Sequence, residues 1–295
     1  MKILEPTAIT PAMLVSCTIA EDDAPEWAAE TAYAIGDQVI RDHRVFEALT
    51  AGAGKVPAAS PDDWLDMGPT SRWRMFDDRV GTASEAQETF TVEIAPGIVS
   101  AIALIAVSAA NARVTMTDPV DGVVYDRTFG LYDPHGIDDW WPYFFSDVLR
   151  TRTLVVRDLP SYRGAVLSVT LIDGPTQTVS LGALVAGLLH TFGRGMHYGA
   201  AFGIQDYSRK ERDAWGGAHI VERDWAKTAR WRCLVPRRQV DVLVQLLTRL
   251  RARPALYIGS ASFDSAMVYG FYRDFDVVIA YPMESECAIE IEGLT

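Results

Sequence analysis

Ala165-Val-Leu-Ser-Val-Thr-Leu-Ile172 is the last of a series of β-rich segments that decides the fold class of this chain. The series also contains Thr89-Phe-Thr-Val-Glu-Ile94, Arg113-Val-Thr-Met-Thr117 and Leu154-Val-Val-Arg157, and turn-forming pairs such as Asp118-Pro119 lie between them. Several strands of this length joined by turns are typical of a β-sandwich. We therefore predict a β-sandwich domain over residues 85–179.

Two shorter stretches before this series also have the pattern of strands. Gln38–Arg41 and Arg44–Ala48 alternate in polarity, and the turn residues Asp42 and His43 separate them. They predict a small β-rich module over residues 22–80, the front module, preceded by an N-terminal arm of residues 1–21. A module of this size has little room for a core, so its aromatic side chains must supply much of the burial.

The last part of the chain, residues 180–295, mixes two kinds of pattern and is called the third block below. After Pro236, apolar residues recur at helical spacing: Val240, Leu243, Val244, Leu247 and Leu250. A proline at the start and arginines at the far end suit an amphipathic helix. Strand-like runs surround it, at residues 229–234, 255–258, 275–281 and 287–291. We predict an α+β domain with one main amphipathic helix, within a multidomain and mainly β chain.

The charge of the chain is unevenly distributed. The net charge is −12, and residues 1–90 carry 16 acidic and 7 basic residues, whereas residues 179–295 carry 13 acidic and 14 basic residues. The clusters Arg209-Lys-Glu-Arg212 and Arg237-Arg238 are too short and too mixed in sign to form the basic stripe that a phosphate backbone requires. We therefore expect no nucleic-acid partner, and a polar molecule that assembles through one end.

The cysteines and the apolar runs indicate the cellular compartment in which the chain folds. Cys17, Cys233 and Cys287 form no C-x-x-C pair, and so sparse a set argues against a disulfide framework or a structural zinc site. The longest apolar run, residues 98–110, is shorter than the roughly 20 residues that span a bilayer. The first residues also lack the apolar stretch of a signal peptide. We expect folding in a reducing cytoplasm and no membrane insertion.

No cluster of residues has the spacing of a known catalytic or metal-binding motif. His190 and His197 flank glycines at a separation that fits no helical face, and we interpret them as polar loop residues. The glycines of residues 193–203 match no phosphate-binding loop. Acidic doublets such as Asp138-Asp139 say nothing about a catalytic pair in space. We expect no enzymatic activity, no cofactor and no metal.

Five aromatic residues crowd a turn-rich connection of the second domain, in Trp140-Trp141-Pro-Tyr143-Phe-Phe145. One loop cannot easily bury all of them, so they could stack on sugar rings, insert into a neighbouring subunit or close one end of the sandwich. Trp140, Trp141 and Tyr143 are therefore candidates for ligand or subunit contact. We favour packing over ligand stacking.

The front module resembles a known family of small domains. Trp27, the run Tyr33-Ala-Ile-Gly-Asp-Gln-Val39, the run Val45-Phe-Glu-Ala48, and Trp64 occur in the order found in the chitin-binding modules of carbohydrate-binding families five and twelve. Where that family usually has further sugar-stacking aromatics, this chain has Leu49-Thr50. The resemblance implies Trp27, Tyr33 and Trp64 as the candidate carbohydrate-binding platform. The alternative is that these rings form the core of the module.

The rest of the chain resembles phage tail proteins. Residues 65–78 are similar to tail proteins in which such a module precedes a sandwich, and residues 89–172 resemble galactose-binding-like jelly rolls. Residues 203–211, 268–275 and 288–294 are similar to segments of siphophage minor tail and tail-tip proteins. The resemblance implies a virion protein present in several copies around the tail tip, with no catalytic residues to transfer.

The leading hypothesis is a non-enzymatic structural component of a bacteriophage tail, in the tail-tip or baseplate region. Its third block would dock on the tail, and its partners would be other phage tail proteins and copies of itself, with host cell-surface glycan as a further contact of the front module. It would be assembled in the host cytoplasm and reside in the virion. The alternatives are a carbohydrate-active enzyme with appended binding modules and a purely structural spacer without ligand binding.

Overall fold

The structure is a computed structural model that describes residues 1–132, 140, 150–213, 215–260 and 263–294. Trp141 and Tyr143, two of the candidate contact residues, lie outside the described residues, whereas Trp140 is described and about 65% exposed. The prediction of a mainly β chain is confirmed, with several sheets and with β regions along most of the chain.

The strands with described bounds are β1 (Lys2–Pro6), β2 (Leu14–Cys17), β3 (Gln38–Arg41), β4 (Arg44–Ala48), β5 (Trp64–Pro69), β6 (Ser84–Gln87), β7 (Thr89–Ile94), β8 (Ala101–Ser108), β9 (Asn111–Asp118), β10 (Gly122–Gly130), β11 (Thr153–Val156), β12 (Val166–Ile172), β13 (Thr178–Thr191), β14 (Ala201–Asp206), β15 (Arg209–Arg212), β16 (Ala218–Val221), β17 (Trp225–Pro236), β18 (Ala255–Ile258), β19 (Met267–Val278) and β20 (Glu284–Gly293). The α-helix with described bounds is α1 (Val240–Arg249). Short 3-10 helices cover Pro11–Met13, Pro57–Ala59, Arg74–Phe76, Arg237–Gln239 and Asp264–Ala266.

The largest sheet has ten strands, and one of the sheets of the chain curls into a half-barrel. Its order is β11-β8-β13-β1-β18-β19-β20-β17-β14, with β6 added along the first half of β13. Strand β13 pairs with β8 and β6 at its start and with β1 at its end, so the boundary predicted at residue 180 lies inside this strand. The same sheet therefore runs from the second domain into the third block.

Two stretches of the expected N-terminal arm (residues 1–21), β1 and β2, are strands of the sheets. Strand β1 pairs with β13 on one side and with β18 on the other, and Ile3 and Leu4 are fully buried. Strand β2 adds to β7. Burying a large aliphatic side chain contributes about 1.5–3 kcal/mol, which is enough to hold so short a strand in place.

Substituting Gly187, which lies opposite Pro6 in the pairing of β13 with β1, is expected to disturb this junction. A Cβ atom on Gly187 would lie 1.9 Å from the backbone oxygen of Glu5, so β1 would have to move. We expect Gly187→Ala to lower the free energy of unfolding by about 1–3 kcal/mol, as for other overpacked sites, measured by urea denaturation.

Gly164→Ala is the matched control, because the nearest atom to an added Cβ is 4.0 Å away, on Asp118. Its free energy of unfolding should stay within about 0.5 kcal/mol of the wild type. Equal unfolding midpoints for the two variants would show that β1 does not pack as closely as described.

A second sheet, of order β10-β9-β12-β7-β2, faces the β8–β13 end of the large sheet. Alternate side chains of β7, β9 and β12 point inward, and Phe90, Val114 and Leu167 pack with Leu104 and Leu184 from the opposite sheet. Alternation of buried and exposed residues along each strand is what a two-layer arrangement requires.

Helix α1 lies against the other end of the large sheet. Leu243, Leu246 and Leu247 are buried in one cluster with Trp231 and Tyr257. The helix follows the 3-10 turn Arg237–Gln239, and the spacing of its apolar residues is the one read from the sequence. A separate three-stranded sheet, β3-β4-β5, forms the front module.

Candidate interaction site

Trp64 belongs to the core of the front module. Its side chain is 5% exposed, and its indole Nε1 donates a hydrogen bond to the backbone oxygen of Lys55 at 3.0 Å. The ring of Tyr33 meets it edge-on, with 5.3 Å between the ring centroids. The Tyr33 hydroxyl in turn accepts a hydrogen bond from the backbone N–H of Ala28 at 2.8 Å. Sugar rings stack on open aromatic faces, and the faces of Trp64 are covered.

Trp27 packs against the outer side of this cluster. It is half-buried against the core formed by Val39, Phe46, Ala48 and Trp64. The guanidinium carbon of Arg41 lies 4.5 Å from the centroid of its ring, which is the geometry of a cation–π contact. The structure therefore brings Trp27, Tyr33 and Trp64 together as packed side chains, and the three do not form an open row of rings.

Thr50, which follows Leu49 after β4, is engaged in internal hydrogen bonds. The hydroxyl of Thr50 donates to the carboxylate of Asp63 at 2.5 Å, and Lys55 Nζ donates to the same oxygen at 2.6 Å. The hydrogen bonds from Lys55 and then from Thr50 hold the pKa of Asp63 below its usual range. These bonds close the loop before β5, and Leu49 beside them is an exposed apolar residue.

An exposed apolar surface lies in the third block, on a projecting hairpin (residues 207–224). Strands β15 and β16 pair with each other as a two-stranded sheet, apart from the ten-stranded sheet. Every residue of these two strands is exposed. Trp215, in the connection between them, is 94% exposed, and Ile220 and Val221 are exposed on β16.

The hairpin extends directly from the end of the large sheet. Strands β14 and β17 bring Asp206 and Trp225 opposite each other, and residues 207–224 continue beyond this last pair. Tyr207 N–H donates to the oxygen of Asp224 at 3.2 Å, and the Tyr207 hydroxyl donates to the carboxylate of Glu292 at 2.8 Å. The base of the hairpin is thus joined to β20, while its tip extends into solvent.

Strand β14 at the base has one free edge. It pairs only with β17 in the described sheet, so its other row of N–H and C=O groups faces outward. Ile204 is exposed on this strand, and Phe202 is partly covered by Trp231, with 6.3 Å between the ring centroids. An apolar edge strand next to an exposed hairpin is a surface on which a further strand could pair.

The charges of the hairpin are largely balanced within it. Arg209 pairs with Glu211 at 2.6 Å, and Lys210 pairs with Asp206 at 2.5 Å. The ammonium of Lys210, followed by hydrogen bonds from Ser208, holds the pKa of the Asp206 carboxyl below its usual range. These two cations are already paired, and residues 207–224 carry four basic and four acidic residues, so the hairpin does not present a basic stripe.

His190 and His197, which were expected in loops, lie in different structural environments. His190 lies in β13, and its Nε2 is 2.9 Å from the carboxylate of Glu5, which Arg249 also approaches to 3.3 Å. His197 lies in the segment between β13 and β14, where its backbone N–H donates to the oxygen of Arg232 at 2.8 Å. Among the described residues, no group of three or more His, Cys, Asp and Glu is arranged to hold a metal ion.

The sequence does not predict the strands of the projecting hairpin. The run Arg209-Lys-Glu-Arg212 is charged throughout and carries no apolar alternation. The local turn signal is Trp215-Gly-Gly217, a tryptophan followed by turn residues, which lies between the charged run 209–213 and the run Ala218-His-Ile-Val221.

Within the described part of the chain, no helix has the length and apolar composition needed to cross a bilayer. Comparisons of the chain with protein-family models, with curated proteins and with solved structures found no match.

Proposed function

We propose that this chain is a non-enzymatic structural component of a bacteriophage tail, near the tail tip, and that it assembles with copies of itself through the third block. The projecting hairpin is the observation that carries the proposal. An isolated two-stranded hairpin is at best marginally stable in water, and this one is exposed along both strands. Packing against a neighbouring copy would cover Trp215 and Ile220 and stabilise the hairpin.

The free edge of β14 supports the same role. An exposed edge with unpaired backbone groups is a template for strand addition, and large apolar side chains such as Ile204 lie beside it. The paired charges of Arg209 and Lys210 favour a protein partner over a polyanion. The similarity of residues 203–211 to tail-tip proteins covers the start of this hairpin.

In this proposal, the acidic front module projects away from the tail. The clustering of Trp27, Tyr33 and Trp64 supports a fold of the chitin-binding type, and the facing sheets of the second domain support a jelly-roll sandwich. Because Trp64 is buried and Thr50 is engaged by Asp63, the front module serves as a spacer and does not bind sugar through these rings.

Deleting the projecting hairpin tests the proposal. Asp206 and Trp225 are opposite each other in the last pair of β14 and β17, so an Asn-Gly turn can join them in place of residues 207–224. We expect the full chain to form oligomers in light scattering and native mass spectrometry, and the deletion variant to be monomeric with an unchanged circular dichroism spectrum. A wild-type chain that stays monomeric at the highest attainable concentration would contradict self-assembly.

A point substitution makes the test sharper. Trp215→Ala should weaken self-association by about 2 kcal/mol or more, because exposed tryptophans that become buried are typical interface hot spots. Val120→Ala is the matched control, since Val120 is equally exposed but lies in the turn between β9 and β10. Equal weakening by both variants would show that the hairpin is not the interface.

Hydrolysis of a polysaccharide, abolished by one carboxylate substitution, would favour the enzyme alternative.

A further inference from the structure

Two cysteines far apart in the sequence face each other inside the third block. Cys233 in β17 and Cys287 in β20 are direct partners in an antiparallel pair. Directly opposite residues of such a pair point to the same face of the sheet, with Cβ atoms about 4.5–5.5 Å apart. Both thiols are free and fully buried in one cluster. The structure thus forms a dithiol where the sequence predicted only isolated cysteines.

The backbone pattern of the ladder fixes the geometry of this pair. Further along the same register, Arg237 N–H donates to the oxygen of Met283 at 3.0 Å. Hydrogen-bonded partners alternate with non-hydrogen-bonded ones, so Cys233 and Cys287, four positions away, are also a hydrogen-bonded pair. The Cα atoms of such pairs are about 5.5 Å apart, which a disulfide can bridge. Side chains at these positions lie farther apart than at the alternate positions, so the bridge would be strained and easily reduced.

The contact between the two thiols makes them chemically different. The hydrogen bond with Cys287 holds the pKa of the Cys233 thiol below its usual range, and the same contact raises the pKa of Cys287. The thiolate is the reactive form of cysteine, and this difference favours Cys233 as the attacking sulfur.

Burial of the pair limits which oxidant can reach it. Both cysteines are 0% exposed and lie in one buried cluster with Leu243, Leu246 and Leu247 of α1. A bulky disulfide reagent would have to break open this packing, whereas a peroxide is small enough to enter during local opening of the cluster.

We propose that Cys233 and Cys287 are a reversible redox site that forms a cross-strand disulfide on contact with hydrogen peroxide. The sulfur of Cys233 attacks one peroxide oxygen, the O–O bond breaks, and water leaves, so that Cys233 becomes a sulfenic acid. The sulfur of Cys287 then attacks the sulfur of Cys233, the S–O bond breaks, and a second water leaves with the remaining thiol proton. Two thiols are oxidised and one peroxide is reduced to two waters.

The bridge would join β17 to β20 and close a loop that contains α1, β18 and β19. Such a loop constrains the unfolded chain, and its strained bond lets a reducing cytoplasm reopen it. The site is independent of the proposed assembly, because neither cysteine lies on the projecting hairpin.

The test is peroxide treatment of the full chain, followed by denaturation, alkylation and peptide mapping. We expect a disulfide between Cys233 and Cys287, one alkylated thiol at Cys17, and full reversal by dithiothreitol. The half-buried Cys17 provides the control, and Cys17→Ser should leave the reaction unchanged. Cys287→Ser should abolish the disulfide and leave Cys233 as an oxidised sulfur acid.

Cys287→Ala serves the same purpose if the serine variant does not fold, because it adds no polar group to the buried site. Two alkylatable thiols at positions 233 and 287 after peroxide treatment of the folded wild type would overturn the proposal. So would a disulfide that involves Cys17 instead.

Discussion

Replacing Trp231 with alanine is expected to lower the free energy of unfolding of the ten-stranded sheet by about 3–5 kcal/mol. Trp231 is 1% exposed, lies in β17 and is among the largest fully buried side chains of the described residues. Gly259 lies directly against its ring, since a Cβ there would be 3.3 Å from two ring atoms. The cavity left by alanine cannot be filled by so small a neighbour. Urea denaturation followed by circular dichroism measures the effect.

Trp215→Ala is the matched control for this substitution, because the same side chain is removed from an exposed position of the same block. Its free energy of unfolding should remain within about 0.5 kcal/mol of the wild-type value in dilute solution. An unchanged urea midpoint for Trp231→Ala would contradict the close packing described around this ring.

Trp64→Ala is the second substitution with a large expected effect. It should lower the free energy of unfolding of the front module by about 3–5 kcal/mol and leave the rest of the chain unaffected. The buried core there consists of Val39, Phe46, Ala48 and Trp64, and the indole also holds the Lys55 backbone through a hydrogen bond. Removing the largest of four core side chains should unfold the module while the rest of the chain stays folded. Hydrogen–deuterium exchange of β3 and β4 measures this local loss.

Leu65→Ala controls for the change of sequence in β5, because Leu65 is exposed next to Trp64. Exchange of β3 and β4 should be fast in Trp64→Ala and unchanged in Leu65→Ala.

A titration of the wild-type chain with chitin oligosaccharides distinguishes a role of the Trp64 ring in the core from a role as a sugar-binding platform. Binding at millimolar sugar that Trp64→Ala abolishes without any change in exchange would identify Trp64 as a sugar platform.

Much of the mainly β fold could be predicted because its signals are local. Residues 38–41, 44–48, 89–94 and 255–258 form strands with the bounds read from the sequence, and the helix starts and ends within a residue of its apolar spacing. The predicted run 275–281 is less accurate, because β19 begins at Met267 and ends at Val278, where Ala280 N–H turns back to the Val278 oxygen.

The parts that could not be predicted depend on pairing between distant residues. Lys2–Pro6 looks like an arm in the sequence, and only its partners at residues 187–191 and 256–258 make it a strand inside the sheet. The cysteine pair likewise depends on the register of β17 with β20. No local pattern encodes such a register, whereas burial of one face strongly constrains it once the chain is compact.

The candidate site was likewise predictable from the sequence only in part. The resemblance to chitin-binding modules indicated which rings of the front module belong together, but only the positions of Arg41 and Lys55 relative to Trp27 and Trp64 distinguish a core from a platform. Both strands of the projecting hairpin are exposed and β15 is charged throughout, so the role of the hairpin depends on where it leaves the large sheet.

Hydrogen–deuterium exchange of the full chain at low and at high concentration tests the central claim most directly. Amides of β15 and β16 exchange rapidly in a free, solvated hairpin and slowly when a neighbouring copy covers it. We predict strong protection of residues 209–212 and 218–221 on association, with unchanged exchange in β3 and β4. Association that leaves the hairpin amides fast, or that protects only the front module, would contradict assembly through the third block.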